Sequence, residues 1–176
     1  ASTTDVFVIG SDATVGHYNG TSWQRTIIGS PYSDAIWGTS ASDVYIVSTF
    51  GLVHWDGATW TEVDDTPFGS GGSHIGGSGP NDVWLATGSD PAHFDGSTWT
   101  EVPLDDFVGD LDIVLGYAPN DVWGAGSAGG IFHYDGSWNQ LDHQTIGAPY
   151  LRLYYAIAGT PTAGTWLLGE ELGEGG

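Results

Sequence analysis

Asp82-Val83-Trp84-Leu85-Ala86, then Ala92-His93-Phe94-Asp95-Gly96, then Trp99-Thr100-Glu101-Val102, decide the fold. The first run is short, apolar and of strand length. It is preceded by Gly79-Pro80-Asn81 and closed by Thr87-Gly88-Ser89-Asp90-Pro91, both strong turn signals. Asp95-Gly96 is a two-residue hairpin turn signal. Trp99 to Val102 alternates large and polar residues with the period of two expected of a strand. With Ser73-His74-Ile75-Gly76-Gly77-Ser78 ahead of them, these runs predict four short strands joined by tight turns. No window carries the 3.6-residue period of an amphipathic helix.

The same beats return along the chain. Asp-Val-aromatic stands at Asp5-Val6-Phe7, Asp43-Val44-Tyr45, Asp82-Val83-Trp84 and Asp121-Val122-Trp123, at intervals of 38, 39 and 39 residues. His-aromatic-Asx-Gly follows at His17, His54, His93 and His133, and a Trp closes each unit at Trp23, Trp60, Trp99 and Trp138. A fixed period of this length marks repeated supersecondary structure. Antiparallel meanders of this size, repeated, predict an all-β chain whose units are four-stranded β-propeller blades. Residues 1–176 are expected to form one such domain of four repeats.

Composition narrows the partners. Two Arg and no Lys stand against 22 Asp and Glu, for a formal net charge of −20. Nucleic acid is excluded as a partner, because its binding rests on Lys and Arg displacing counterions from phosphates. Anionic membrane surfaces are disfavoured for the same reason. Cations, neutral sugars and basic proteins are compatible. No apolar run approaches the ~20 residues of a membrane-spanning helix, so no membrane insertion is expected. The absence of Cys removes disulfides, thiolate metal sites and cysteine nucleophiles. An acidic chain beginning at Ala1 fits a secreted or cell-surface protein from which a signal peptide has been removed.

The order of apolar strand, small-residue turn, aromatic-Asp-Gly turn and Trp-Thr-Glu-Val resembles a shortened kelch repeat. Val44-Tyr45-Ile46-Val47, His54-Trp55-Asp56-Gly57 and Trp60-Thr61-Glu62-Val63 fill its last three places. Similar compact repeats occur in secreted bacterial propeller proteins, and the resemblance spans residues 5–169. It implies propeller blades in which an inner strand leads and a Trp-bearing outer strand ends each unit. Kelch repeats run ~50 residues, longer than these, and their paired glycines are here reduced to Gly10, Gly88 and Gly126, with Ser48 in the second unit. The Asp-Gly-x-Thr-Trp run also resembles the Asp-box of sialidases, shortened by one residue and without its leading Ser. No particular activity is carried over. Sialidases of the usual kind clamp substrate with three Arg, and galactose oxidase needs a Cys crosslinked to Tyr.

In that register the chain enters a blade at its second strand, Asp5. Leu151 to Ile157 is then an inner strand without a full blade after it, and is expected to complete the first blade by pairing with the Asp5 strand. That closes four blades in one chain, with two chains forming one eight-bladed ring as the alternative. Thr165 to Gly169, part of a spare strand near 164–169, is expected to be disordered or to add to a neighbouring chain's edge in self-association.

The repeated His, Trp and aromatics are assigned to architecture, each His bonding a nearby turn carbonyl or carboxylate. Four His on third strands diverge around a ring and cannot share one ion. Function is sought where the repeats differ. Trp37, where the other inner strands carry Gly76, Leu115 and Ala158, offers a flat face for stacking on a sugar ring, with Tyr32, His74 and Tyr117 in comparable positions. Asp105, Asp106, Asp110 and Asp112 form an oxygen-rich loop of the kind Ca²⁺ takes. The expectation is a non-enzymatic extracellular binding or scaffolding module for a glycan or protein surface ligand. A structural subunit of an extracellular assembly is the alternative, and a metal-assisted hydrolase the third reading.

Overall fold

A computed structural model describes residues 4–10, 12–29, 33–48, 51–64, 66, 72–104, 109–142 and 153–170. They form five antiparallel sheets in chain order. The first has three strands, β1 (Val6–Ile9), β2 (Thr14–Tyr18) and β3 (Trp23–Ile27). The second has four, β4 (Ser33–Ser40), β5 (Asp43–Ser48), β6 (Gly51–Trp55) and β7 (Trp60–Glu62). The third repeats it with β8 (His74–Gly79), β9 (Asp82–Ala86), β10 (Ala92–Phe94) and β11 (Trp99–Glu101). The fourth does so with β12 (Ile113–Ala118), β13 (Asp121–Ala125), β14 (Ile131–Tyr134) and β15 (Trp138–Gln140). The fifth is a hairpin of β16 (Leu153–Thr160) and β17 (Gly164–Glu170). The only helical element among the described residues is a 3-10 turn at Ser127–Gly129. The architecture is the all-β propeller that the repeats predict.

Each Asp-Gly turn is a longer loop than the two-residue hairpin expected of it. Trp55 pairs with Trp60 and Phe94 with Trp99, leaving four-residue loops. The Asp side chain is the reason. Asp56 Oδ1 accepts the N–H groups of Ala58 and Thr59, both at 2.8 Å, and Asp95 Oδ1 accepts those of Ser97 and Thr98. Asn19 Oδ1 accepts from Thr21 and Ser22 in the same way, so Asn replaces Asp without loss of the turn. Gly57 and Gly96 follow at φ of 96° and 94°, a region in which a Cβ is strained.

The inner strands β4, β8, β12 and β16 pack side by side in that order. Between β8 and β12 they approach backbone to backbone. A Cβ on Gly76 would lie 2.7 Å from the Val114 carbonyl oxygen, and one on Gly116 2.9 Å from Gly77. Glycine is therefore the residue that lets neighbouring blades converge on the axis. The core lies between sheets, with alternate residues of each second strand serving opposite faces. Tyr45 and Val47 pack forward onto Ile75, Val83 and Leu85 of the third sheet. Trp84 and Ala86 pack forward onto Val114, Val122, Phe132 and Trp138 of the fourth. Ala125 meets Tyr154, Ile157 and Leu167 of the fifth. In the first sheet Phe7 and Ile9 do the same against Ile46 and Trp60.

The expected closure is not the pairing found. β16 hydrogen-bonds β17, with Ile157 opposite Leu167 and Gly159 opposite Thr165, in the register that β4 uses with β5. The edge on which an inner strand meets a second strand is thus filled by β17, and β1 pairs with β2 alone among the described strands. Thr165 to Gly169 is neither surplus nor disordered, because it is the second strand of that hairpin.

Candidate functional site

The repeated His is held by the repeated Asp. His17 Nε2 donates to Asp5 at 3.1 Å, His54 to Asp43 at 2.7 Å, His93 to Asp82 at 2.8 Å and His133 to Asp121 at 2.9 Å. The partner is a carboxylate, one of the two acceptors expected. Each His ring also lies against the aromatic of its Asp-Val-aromatic run, with centroids 4.0 Å apart for Phe7–His17 and 4.4 Å for Trp84–His93. In the third sheet the Asp ties three strands together. Asp82 accepts Ser78 Oγ from β8, Trp84 Nε1 from β9 and His93 Nε2 from β10. Burial pushes this carboxyl upward, but the three hydrogen bonds outweigh it and hold the group below the usual carboxylate range. Asp43 is clamped alike, accepting Thr39 Oγ1 as well as His54. This Asp–His link is architectural, and its separation of 11 to 12 residues in every repeat was the signal for it.

The candidate ligand residues fall on three different inner strands. Trp37 on β4 is half-buried, packed against the Tyr45, Val47 and Ile75 cluster between the second and third sheets, and its ring lies 6.5 Å from that of Tyr45. It also lines a cleft of about 520 Å³ between the first two sheets, with Asp5, Phe7, Ile36, Thr39 and Ser40. The cleft opens where, among the described strands, the first sheet has none inside β1. His74 on β8 accepts the Val114 N–H at Nδ1 across 3.4 Å, and burial holds its pKa below the usual value. Tyr117 on β12 places its hydroxyl 3.1 Å from Thr165 Oγ1 and within hydrogen-bond reach of the Gly164 carbonyl. His74 and Tyr117 therefore bridge neighbouring sheets, and the structure does not bring them to Trp37. Tyr32 lies outside the described residues.

Of the acidic loop, Asp105 and Asp106 lie outside the described residues. Asp110 accepts Ser127 Oγ at 3.2 Å. Burial raises the pKa of Asp112, and the nearby Asp110 charge adds to the rise. Among the described residues no group of three or more His, Asp or Glu converges as a metal site.

No protein-family model matches the sequence, and no curated protein is similar to it in sequence. Solved structures do match in fold. Virginiamycin B lyase from Staphylococcus aureus, in a catalytically inactive form with quinupristin, superposes with a TM-score of 0.76 at 13% identity, over 96% of this chain and 61% of the lyase. PorZ, a bacterial surface component of the type-IX secretion system of Porphyromonas gingivalis, gives 0.61 at 14% identity, over 92% of this chain and 29% of PorZ. YCF48 bound to D1 peptide gives 0.52 at 13% identity, over 95% of this chain and 72% of YCF48. The chain spans less than two thirds of the lyase and of PorZ. These are β-propeller-like proteins, and the likeness is one of fold.

Proposed function

We propose that this chain is a non-enzymatic binding module of the cell exterior, taking a glycan or protein surface ligand in the cleft between its first two sheets. The carrying observation is that cleft of about 520 Å³, lined by the non-repeated Trp37 together with Phe7, Asp5 and the hydroxyl-bearing Thr39 and Ser40. Aromatic surface beside a few polar groups is how ligand pockets combine affinity with orientation. The net charge of −20 favours a neutral sugar or a basic peptide over an anion. The His and Asp that would serve acid-base chemistry are instead tied to each other in every repeat. PorZ is a surface component and YCF48 holds a peptide, which supports an exterior setting and a protein ligand without fixing either. Calcium at the loop of Asp105, Asp106, Asp110 and Asp112 is a further part of the proposal, since a cation there would relieve the raised Asp112.

A glycan array read alongside intrinsic Trp fluorescence tests this reading. Binding that Trp37→Ala weakens, at a stability cost clearly below that of Trp84→Ala, supports it. Binding unaffected by Trp37→Ala and by Thr39→Ala places the ligand elsewhere. The alternative reading, a structural subunit of an extracellular assembly joined by strand addition, is favoured by the edge of β1 that no described strand pairs with. Resemblance to kelch repeats belongs with this proposal as a guide to blade register.

A further inference from the structure

Both ends of the stack present a face that the interior sheets bury wholly or in part. β-Strand alternation and the register of the first sheet put Val6, Val8, Trp23 and Ile27 on one face, 40%, 47%, 57% and 71% exposed. Their counterparts inside the stack are closed. Val83 and Leu85, in the slots of Val6 and Val8, are fully buried, and Trp138, in the slot of Trp23, is 5% exposed. At the other end Trp166 and Leu168 are 68% and 63% exposed. Pairing of Ala158 with Trp166, against Gly76 with Trp84, puts Trp166 in the slot of the fully buried Trp84. One end is thus a forward face and the other a backward face, the two halves of the contact that joins the third and fourth sheets.

We infer that these two faces bind each other between copies of this chain, head to tail, with Trp166 and Leu168 of one copy seated on the first sheet of the next. Inside the chain Trp84 sits 4.7 Å from Tyr134 and edge-on to Trp138 at 5.3 Å. The receiving pair at the free end is already formed in similar geometry. Tyr18 and Trp23 have centroids 5.5 Å apart, against 5.3 Å for Tyr134 and Trp138. Beside Trp23 lies a hollow of about 280 Å³, lined by Val8, Gly16 and Arg25 and open for an apolar side chain. Continuity with the sheet-to-sheet contact identifies the occupant. What covers such a face four times over in this molecule is a sheet of this same repeat, and a second copy carries one. This holds whatever the cleft beside Trp37 takes.

The contact is heterologous, so it leaves a free face at each outer end and continues beyond two copies unless the arc closes. A charge of −20 on each copy opposes it at low ionic strength, and screening by salt relieves the repulsion. Burial of aromatic surface supplies the attraction.

Light-scattering mass of the 176-residue chain, followed against concentration at low and high salt, tests the inference together with two variants. The parent should rise above monomer mass with concentration, and further with salt. Trp166→Asp and Trp23→Asp should each weaken association by about tenfold or more, as loss of a central aromatic anchor does. Mixed in equal amounts, the two variants should form a dimer, because one keeps the forward face and the other the backward face. These substitutions leave the strand edges intact, so they separate face stacking from strand addition. Near-UV circular dichroism checks the fold, with Leu168→Asp and Val8→Asp as a second pair. A parent that stays monomeric under every condition overturns the inference. So does association that the variants leave unchanged, or a mixture that remains monomeric while the parent associates.

Discussion

The third sheet and the first sheet are written in nearly the same letters and live in different surroundings. Leu85 of the third is fully buried between two neighbours, whereas Val8 in the same slot of the first is 47% exposed on a sheet with one neighbour. The sequence slot decides which way a side chain points. The neighbouring blade decides whether that side chain becomes core. Stability in such a stack is carried by sheet-to-sheet contacts as well as by each sheet's own hydrogen bonds, as in other repeat architectures.

The comparison can be broken most directly at its aromatics. Trp84→Ala should destabilise the monomer by about 3–5 kcal/mol, the range for truncating a buried aromatic. Trp166→Ala occupies the same slot and should change stability by less than about 0.5 kcal/mol, as an exposed position does. Denaturant unfolding at dilution measures both, and equal losses would erase the distinction between interior and end.

The Asp–His links sharpen it. Removing the His93 side chain takes one of three hydrogen bonds from the Asp82 carboxylate, whose side chain is only 6% exposed. The cost should be about 1–3 kcal/mol. His17→Ala frees the more open Asp5 and should cost less than about 1 kcal/mol. Thermal melts of the two variants under one buffer give the contrast.

A pH series probes the contact between the third and fourth sheets through His74. Its pKa is held below the unfolded value, so the unfolded chain binds the proton more readily. Stability from this group is present above about pH 6.5, the unfolded value, and is lost as pH falls from there toward the folded pKa. His74→Gln should flatten that part of the profile. A profile unchanged by the substitution would detach the group from the pH response.

The smallest effect expected is from calcium. At matched ionic strength Ca²⁺ should raise the melting temperature more than Na⁺ does, and Asp110→Ala should remove the difference. Equal responses would dismiss the acidic loop as a site and leave screening alone.

The strands were legible because their signals are local. Asp-Val-aromatic marks the second strand, His-aromatic-Asx-Gly the third and its loop, and Trp the fourth, and each falls where the structure has it. Closure was not legible, because Leu153 to Thr160 satisfies its edge with the strand that follows it rather than with a strand some 150 residues earlier. A nearby hairpin partner needs far less loop closure. The same limit applies to Trp23, Trp60, Trp99 and Trp138, which share a slot and range from exposed to buried according to what stands beside them. In the candidate site, Trp37 was found as a break in the repeat. Tyr117 and His74 broke the repeat too, yet they bridge sheets, a role that depends on residues 40 or more positions away.

Hydrogen exchange resolved by strand, on dilute protein at low salt, tests the account at its centre. Amides of β8, β9, β12 and β13 should be strongly protected, while those of β1 and of the β16–β17 hairpin exchange much faster. Raising concentration and salt should slow the terminal strands and leave the interior ones as they were. Terminal strands as protected as β9 in dilute, low-salt solution would contradict it, because the first and fifth sheets would then already be covered within a single chain.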